Sequence, residues 1–447
     1  MDLHELIKSY EPQMINMLEK LISVPSVKSE AVANKPYGEK CAEVLELMLE
    51  IAGSYGFRTI NHENYIGEIT YPNNKPTKLG ILCHLDVVPA SEKDGWTPFK
   101  AVVDSEKIVG RGAIDDKGPA VSVLFALKAV KELGIELDRN VKFIVGCDEE
   151  NGSGDIVYYK KNVGAMPENV FTPDGNFPVI NIEKGMQRVK FEKKLRLENI
   201  VSFRGGEVVN AVPSNAVAVI KGVSALPESD GITFSAMEDG WEIRCKGTPA
   251  HASTPDGDNA ITKLVEYLRK LELSEADRTF LNSLINVFPH NQTDGLALGI
   301  KTCDEKSGAL TCVFSLAAVE NNFFSGMADI RFPVSSTEDE IFQSFSSALK
   351  DFDTTLVMSC PPHCTDENSE FVRKLIASYE KVTGLKGYCQ AIGGGTYVHD
   401  IEGGVAFGAE YPDENCLMHS KGEFITRKNL LLNAEIFADA IISVCKD

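Results

Sequence analysis

The 447-residue chain is short of positive charge: 45 Lys and Arg stand against 65 Asp and Glu, a formal net charge of -20. Nucleic-acid binding draws on clustered Lys and Arg, so a broad nucleic-acid footprint is excluded. Adhesion to an anionic membrane surface is disfavoured for the same reason. Long apolar runs are also missing, and no segment approaches the roughly 20 residues that cross a bilayer. The opening stretch MDLHELIKSYEPQMINMLEKL has no basic start, no unbroken apolar centre and no small-residue cleavage site. Those are the parts of a secretory signal, and a cytoplasmic location is expected. Low-complexity tracts are absent and no repeat is evident. The eleven cysteines are odd in number and scattered, which points to reduced thiols acting mostly as small buried hydrophobes. CPPHC (Cys360 to Cys364, around His363) has the spacing of half a zinc clip. No second half stands nearby and two prolines stiffen it, so no metal role is expected there.

What is present is an ordinary globular composition, 43% hydrophobic and 25% charged. The length suits two or three domains at roughly 150 residues each. The first 180 or so residues alternate between helical and strand patterns. Glu5 to Leu21, Gly38 to Ala52 and Pro119 to Leu133 carry apolar residues at helical spacing. KLGILCHLDVVP and NVKFIVGCDEE are apolar runs that read as buried strands. The middle is different, with alternating strands in GWEIRCKG and MADIRFP and a helical piece at Ala260 to Leu271. The tail returns to the first pattern, with helices at Phe371 to Thr383 and Asn429 to Val444 and a strand in GVAFGAEYP. The expectation is an α/β catalytic domain with a mixed, mostly parallel sheet flanked by helices, formed by residues 1–184 and 366–447. An α+β lid domain would be inserted as residues 185–365.

Open α/β sheets place ligands at the carboxyl ends of their strands, and ligand-type residues gather there. GILCHLDVVP ends with His84 and Asp86, two apart and so on one face. FIVGCDEE ends with Asp148, Glu149 and Glu150, and NVFTPDGNFP carries Asp174. GRGAIDDKGP sets Asp115 and Asp116 before a helix, and ENCLMHSKGEF supplies His419. Taken singly, each has an ordinary explanation: a helix cap, a solvated turn, a surface histidine. Together they crowd acidic and imidazole groups that tolerate one another only around cations. Two divalent ions account for the set. Mixed His and carboxylate donors suit zinc, with manganese or cobalt as alternatives. One aspartate of the Asp115–Asp116 pair would bridge the ions. Asp86 is placed to orient His84. Of Glu149 and Glu150, one would bind metal and the other act as general base.

GILCHLDVVP, DGWTPF, GRGAIDDKGP, DEENGSGD, TPDGNFPVINIEKG and MHSKGEF, in this order, resemble the co-catalytic zinc peptidases. That family includes carnosinase, the aminoacylases, succinyl-diaminopimelate desuccinylase and carboxypeptidase G; the bacterial dipeptidase V subgroup is the nearest in pattern. The resemblance implies that His84, Asp115 and Asp174 hold one metal, and that Asp115, Glu150 and His419 hold the other. Asp115 is then the bridge, Glu149 the general base and Asp86 the orienting carboxylate. In the insert, the resemblance makes His251 of CKGTPAHASTPDGDNA a lid donor to the oxyanion. It makes Asn210 and Arg331 substrate-binding groups, the arginine gripping a terminal carboxylate. AIGGGTY would bring its backbone close to the substrate. The implied activity is hydrolysis of dipeptides or short peptides with a free amino end by a water bridging two zinc ions. An N-acyl amino acid deacylase is the alternative within the family. A silent metal- or peptide-binding protein would not need Glu149. The long lid resembles that of the subgroup in which one chain completes the site, so a monomer is expected.

Overall fold

The computed structural model describes residues 2–92 and 95–446; Asp94, which opens the stretch DGWTPF, lies outside them. The chain divides into two compact units, one of Met1–Asn181, Cys364–Gln390 and Gly395–Asp447, the other of Ile182–His363 and Ala391–Gly394. The second unit thus begins at Ile182, ends at His363 and reclaims Ala391–Gly394, a return that composition does not signal. Hydrogen bonds account for it. The Lys184 N–H donates to Ile392 O at 3.0 Å, and Arg331 Nη1 donates to Gly393 O at 2.9 Å.

The first unit is α/β. Strands Arg58–His62, Ile66–Thr70, Asn140–Gly146, Thr77–His84, Asn169–Thr172, Val405–Ala406 and Val179–Glu183 lie side by side in that order. Thr77–His84 runs parallel to both its neighbours, and Val405–Ala406 runs parallel to Asn169–Thr172. The pairings at either end are antiparallel. Parallel pairing brings the carboxyl ends of Thr77–His84, Asn140–Gly146 and Asn169–Thr172 to one edge, where His84, Glu149, Glu150 and Asp174 follow. Side chains alternate across the sheet. Leu79, Ile81 and Cys83 enter the larger apolar cluster, with helices Glu11–Ser23, Lys117–Glu132 and Arg427–Cys445. Leu82 enters a smaller one with Ile144, Tyr159 and Tyr397. Each fully buried Leu or Ile contributes roughly 1.5–3 kcal/mol, so the strand ends stand on a firmly packed platform.

Two local details differ from the sequence pattern. The first helical stretch is two helices, Leu3–Ser9 and Glu11–Ser23, and Pro12 falls in the first turn of the second, where its missing N–H costs nothing. Helix Lys117–Glu132 begins before Pro119. Its Gly118 lies so close to the preceding loop that a Cβ there would sit 2.0 Å from Ala113 O.

The second unit is α+β. Its antiparallel sheet runs Ile232–Met237, Gly240–Lys246, Asn215–Ile220, Ile200–Gly205, Thr311–Glu320, Phe323–Phe332, Gly185–Lys194, Asp353–Cys360. Helices Ala260–Leu268, Glu275–Ile285 and Glu338–Ala348 close its core around Phe191, Phe314 and Phe324. Among the described residues, no helix is long and apolar enough to cross a membrane. No metal-ligating group forms around CPPHC among them either.

Candidate metal centre

At the carboxyl edge of the first unit's sheet, His84, Asp115 and Asp174 bring one ligand atom each to within 4.8 Å of one another, and so do Asp115, Glu150 and His419. Asp115 belongs to both trios through different oxygens. Its Oδ1 lies 2.8 Å from His84 Nε2, and its Oδ2 lies 2.7 Å from His419 Nε2. Asp174 Oδ2 stands 3.7 Å from His84 Nε2, and Glu150 Oε1 stands 3.2 Å from His419 Nε2. His419 reaches inward from a left-handed backbone conformation, φ 59°, which is uncommon for a residue with a side chain.

The His84 ring is oriented by its Nδ1, which lies 2.9 Å from the main-chain oxygen of Asp86 and 3.5 Å from the Asp86 carboxylate. Nδ1–H donates to that carbonyl, so Nε2 is left facing two carboxylates. It is buried and makes no hydrogen bond of acceptable alignment despite the short distance to Asp115. The Asp86 carboxylate has another task. It accepts the backbone N–H groups of Glu149 and Glu150, each at 3.3 Å, and so fixes the backbone of both glutamates at once.

Asp116 is not the cap that Asp before a helix usually provides. Its side chain caps nothing and instead accepts the His84 N–H at 3.1 Å. The Asp115–Asp116 peptide is cis.

The electrostatics are those of a site short of positive charge. Burial alone would push His84 down, but Asp115 and Asp86 hold it well above its ordinary value. Burial likewise opposes the charge on His419, while Asp115 and Glu150 hold it up at about 11. Burial, then the charge of Asp174, pushes Glu149 well up. Burial and Asp115 raise Asp174 to about 7, and the same two causes raise Glu150. Two like charges about 4 Å apart cost on the order of 4 kcal/mol at an effective dielectric near 20. Four carboxylates and two imidazoles therefore share this space only with protons or cations among them. Nitrogen and carboxylate oxygen donors, with an unsatisfied buried Nε2 aimed between them, fit divalent metal ions.

The model of peptidase family M20/M25/M40 matches residues 80–443, a span that includes every residue of both trios. The chain belongs to that family. It is accordingly a metallopeptidase of a kind that uses divalent ions. "Putative dipeptidase YtjP" of Bacillus subtilis is 34% identical over 465 residues, covering 99% of each chain. Among solved structures, human carnosine dipeptidase 1 superposes with a TM-score of 0.59 at 14% identity, over 99% of each chain. The dipeptidase Dug1p of Saccharomyces cerevisiae gives 0.62 at 15%, over 99% of this chain and 98% of that one. At these identities the two structures speak to the fold.

Around the two trios, this M20-family chain has residues that strand-end reasoning did not single out. Glu423, fully buried, accepts the N–H groups of Ile114 at 3.1 Å and Asp115 at 3.3 Å, and pairs with Arg111 Nη1 at 2.5 Å. Asp155 accepts the N–H groups of Cys147 and Asp148 and the hydroxyl of Tyr397. Burial, then the charge of Asp86, raises it to about 7. Lys117 is buried and donates to Leu21 O and Val24 O, both at 2.9 Å. Glu423 and Asp155 stand inside the stretches MHSKGEF and DEENGSGD, which was the available signal.

The three candidates of the insert lie in the second unit. His251 is exposed, with Nδ1 against Ser253. Asn210 is exposed, and its carbonyl accepts the Ala252 N–H. Arg331 is almost fully buried, and part of its fork is engaged within the chain. It is 4% exposed; Nε and Nη2 meet the two oxygens of Asp329 at 2.6 and 3.2 Å, and Nη1 meets Gly393 O. Asp329, two residues back on the same strand face, takes one edge of the fork.

Proposed function

We propose that the protein hydrolyses dipeptides and other short peptides with a free amino end, β-alanyl dipeptides among them, as a cytoplasmic monomer. The observation that carries this reading is Asp115, a single carboxylate whose two oxygens face two different histidines. His84, Asp115 and Asp174 would hold one divalent ion, and Asp115, Glu150 and His419 the other, with zinc the best match to the donor set. Bound ions supply Lewis acidity and lower the pKa of water. Glu149 belongs to neither trio. It takes the proton of the attacking water and passes it to the leaving amine. Asp86 keeps base and ligand in register through their adjacent amides. His251 donates to the oxyanion and Asn210 contacts the substrate. Arg331, held by Asp329 and Gly393 through one N–H each of Nε, Nη1 and Nη2, offers its remaining donors to the terminal carboxylate.

The test is a panel of Ala-Ala, a β-alanyl dipeptide and N-acetyl amino acids, run with and without chelator on wild type and Glu149→Gln. Dipeptides should be hydrolysed and chelator should stop it. Loss of the base should lower kcat by about 10²–10⁴ with bound metal unchanged. Wild-type turnover by Glu149→Gln removes the base assignment. Hydrolysis of N-acetyl amino acids alone turns the reading into an N-acyl amino acid deacylase, and a stable dimer in sedimentation overturns the monomer.

A further inference from the structure

We propose that Ser253 is a positioning residue that fixes the tautomer of His251, and that Gly393 and Arg331 hold Ser253 where it can do so. The catalytic consequence rests on His251 as donor to the oxyanion; the tautomer does not. The Ser253 N–H donates to His251 Nδ1 at 3.2 Å, and Ser253 Oγ lies 2.7 Å from the same nitrogen. A backbone amide can only donate, so Nδ1 presents its lone pair and the neutral ring carries its proton on Nε2. The Ser253 hydroxyl then donates to Nδ1 as well. Nε2–H is the group a developing oxyanion requires. The opposite tautomer would turn a lone pair toward the negative charge.

The loop around these two residues is pinned on several sides. The Ala252 N–H donates to Asn210 O at 2.9 Å, Thr311 Oγ1 donates to Ala252 O at 2.8 Å, and Thr254 Oγ1 donates to His251 O at 3.1 Å. Gly393 closes another side. A Cβ at that position would lie 2.4 Å from Ser253 Cβ and 3.1 Å from both Ser253 O and Oγ. The Gly393 carbonyl is held in turn by Arg331, whose fork is locked on Asp329. Asp329, Arg331, Gly393, Ser253 and His251 thus form one chain of contacts within the second unit. That chain gives a buried arginine and a side-chain-free position a common purpose.

The experiment uses the full-length protein with histidine labelled with ¹⁵N in the ring. Eight histidines keep the spectrum assignable, with His251→Asn identifying the signal. The expected result is a neutral His251 protonated on Nε2 with an acceptor-type Nδ1. Ser253→Ala should lower kcat on Ala-Ala by about tenfold, the rate equivalent of one hydrogen bond, with KM nearly unchanged because the donor acts in the transition state. Gly393→Ala, which displaces both Ser253 donors, should cost more, and Ser253→Thr should restore most of the rate. A wild-type ring protonated on Nδ1 overturns the tautomer. A Ser253→Ala variant with unchanged spectrum and kcat overturns the positioning role. A correct tautomer with full activity in His251→Asn removes the oxyanion role of His251 and leaves the tautomer assignment standing.

Discussion

Glu423→Gln probes how two distant parts of the chain are tied together at the metal centre. Glu423 Oε1 accepts the amides of Ile114 and Asp115, and Oε2 meets Arg111. Its own carbonyl accepts the Gly110 N–H, and the strand that follows, Phe424–Thr426, pairs with Lys107–Val109. Glutamine keeps an oxygen for the two amides but abandons Arg111, which is 3% exposed. Breaking a buried pair from one side costs about 3–5 kcal/mol. At ~2–4 °C per kcal/mol, the unfolding midpoint should fall by about 10 °C in metal-loaded protein. The cost should be smaller with chelator. In the metal-free site, burial and the bare charge of Asp115 push Glu423 up to about 7 against Arg111, so the pair is already weakened. A shift in the amides beneath Asp115 should also loosen metal binding, by about tenfold, the lower end for residues behind a ligand. Thermal unfolding with and without chelator reads the first effect, and a competitive zinc titration reads the second. The double variant Arg111→Met, Glu423→Gln should be more stable than Glu423→Gln alone. Loss of under about 1 kcal/mol, the scale of a single neutral hydrogen bond, or strict additivity in the double variant, would refute the reasoning.

Metal affinity should rise with pH. In the metal-free site His419 keeps its proton up to about 11, and His84 is held well above its ordinary value. A metal must displace those protons at neutral pH, so binding weakens as pH falls; an affinity constant between about pH 6 and pH 8 would contradict this. In the second unit, Asp277 accepts the N–H groups of Glu198, Asn199 and Ile200 and the hydroxyl of Ser274. Burial opposes its charge, but these donors win and lower its pKa. Its contribution is therefore present above the unfolded pKa and lost as pH falls through the lower folded value. Asp277→Ala should cost about 2–4 kcal/mol near neutral pH, read by urea unfolding, and the gap to wild type should narrow in acid. A gap that does not depend on pH would sink the assignment.

Much of the fold follows from local pattern. Thr77–His84 reads as a buried strand because one apolar face meets helices and the other meets Ile144 and Tyr159. The ligand-type residues were legible because parallel strands gather their carboxyl ends at one edge. Partners that stand far apart in the chain were not legible. Arg111 and Glu423 are separated by 312 positions, and Asp155 and Tyr397 by 242; only tertiary folding brings them together. The partner of Arg331 stands nearer. An aspartate two residues away on a strand shares its face, and DIR carried that signal. GVAFGAEYP reads as a full strand, yet its ladder covers Val405–Ala406 alone, with Glu410 making an isolated bridge to Asn176; between them Gly408 turns at φ 86° and packs on the Phe177 ring.

The position of Val405–Ala406 has a bearing on synthesis. This short strand sits between Asn169–Thr172 and Val179–Glu183, yet it leaves the ribosome more than two hundred residues after them. Until it arrives, the nascent sheet carries an unfilled slot with backbone groups open on both sides, a template for pairing with the wrong chain. Completion of the sheet waits on Val405–Ala406, and mispairing at the open slot is the hazard of the interval.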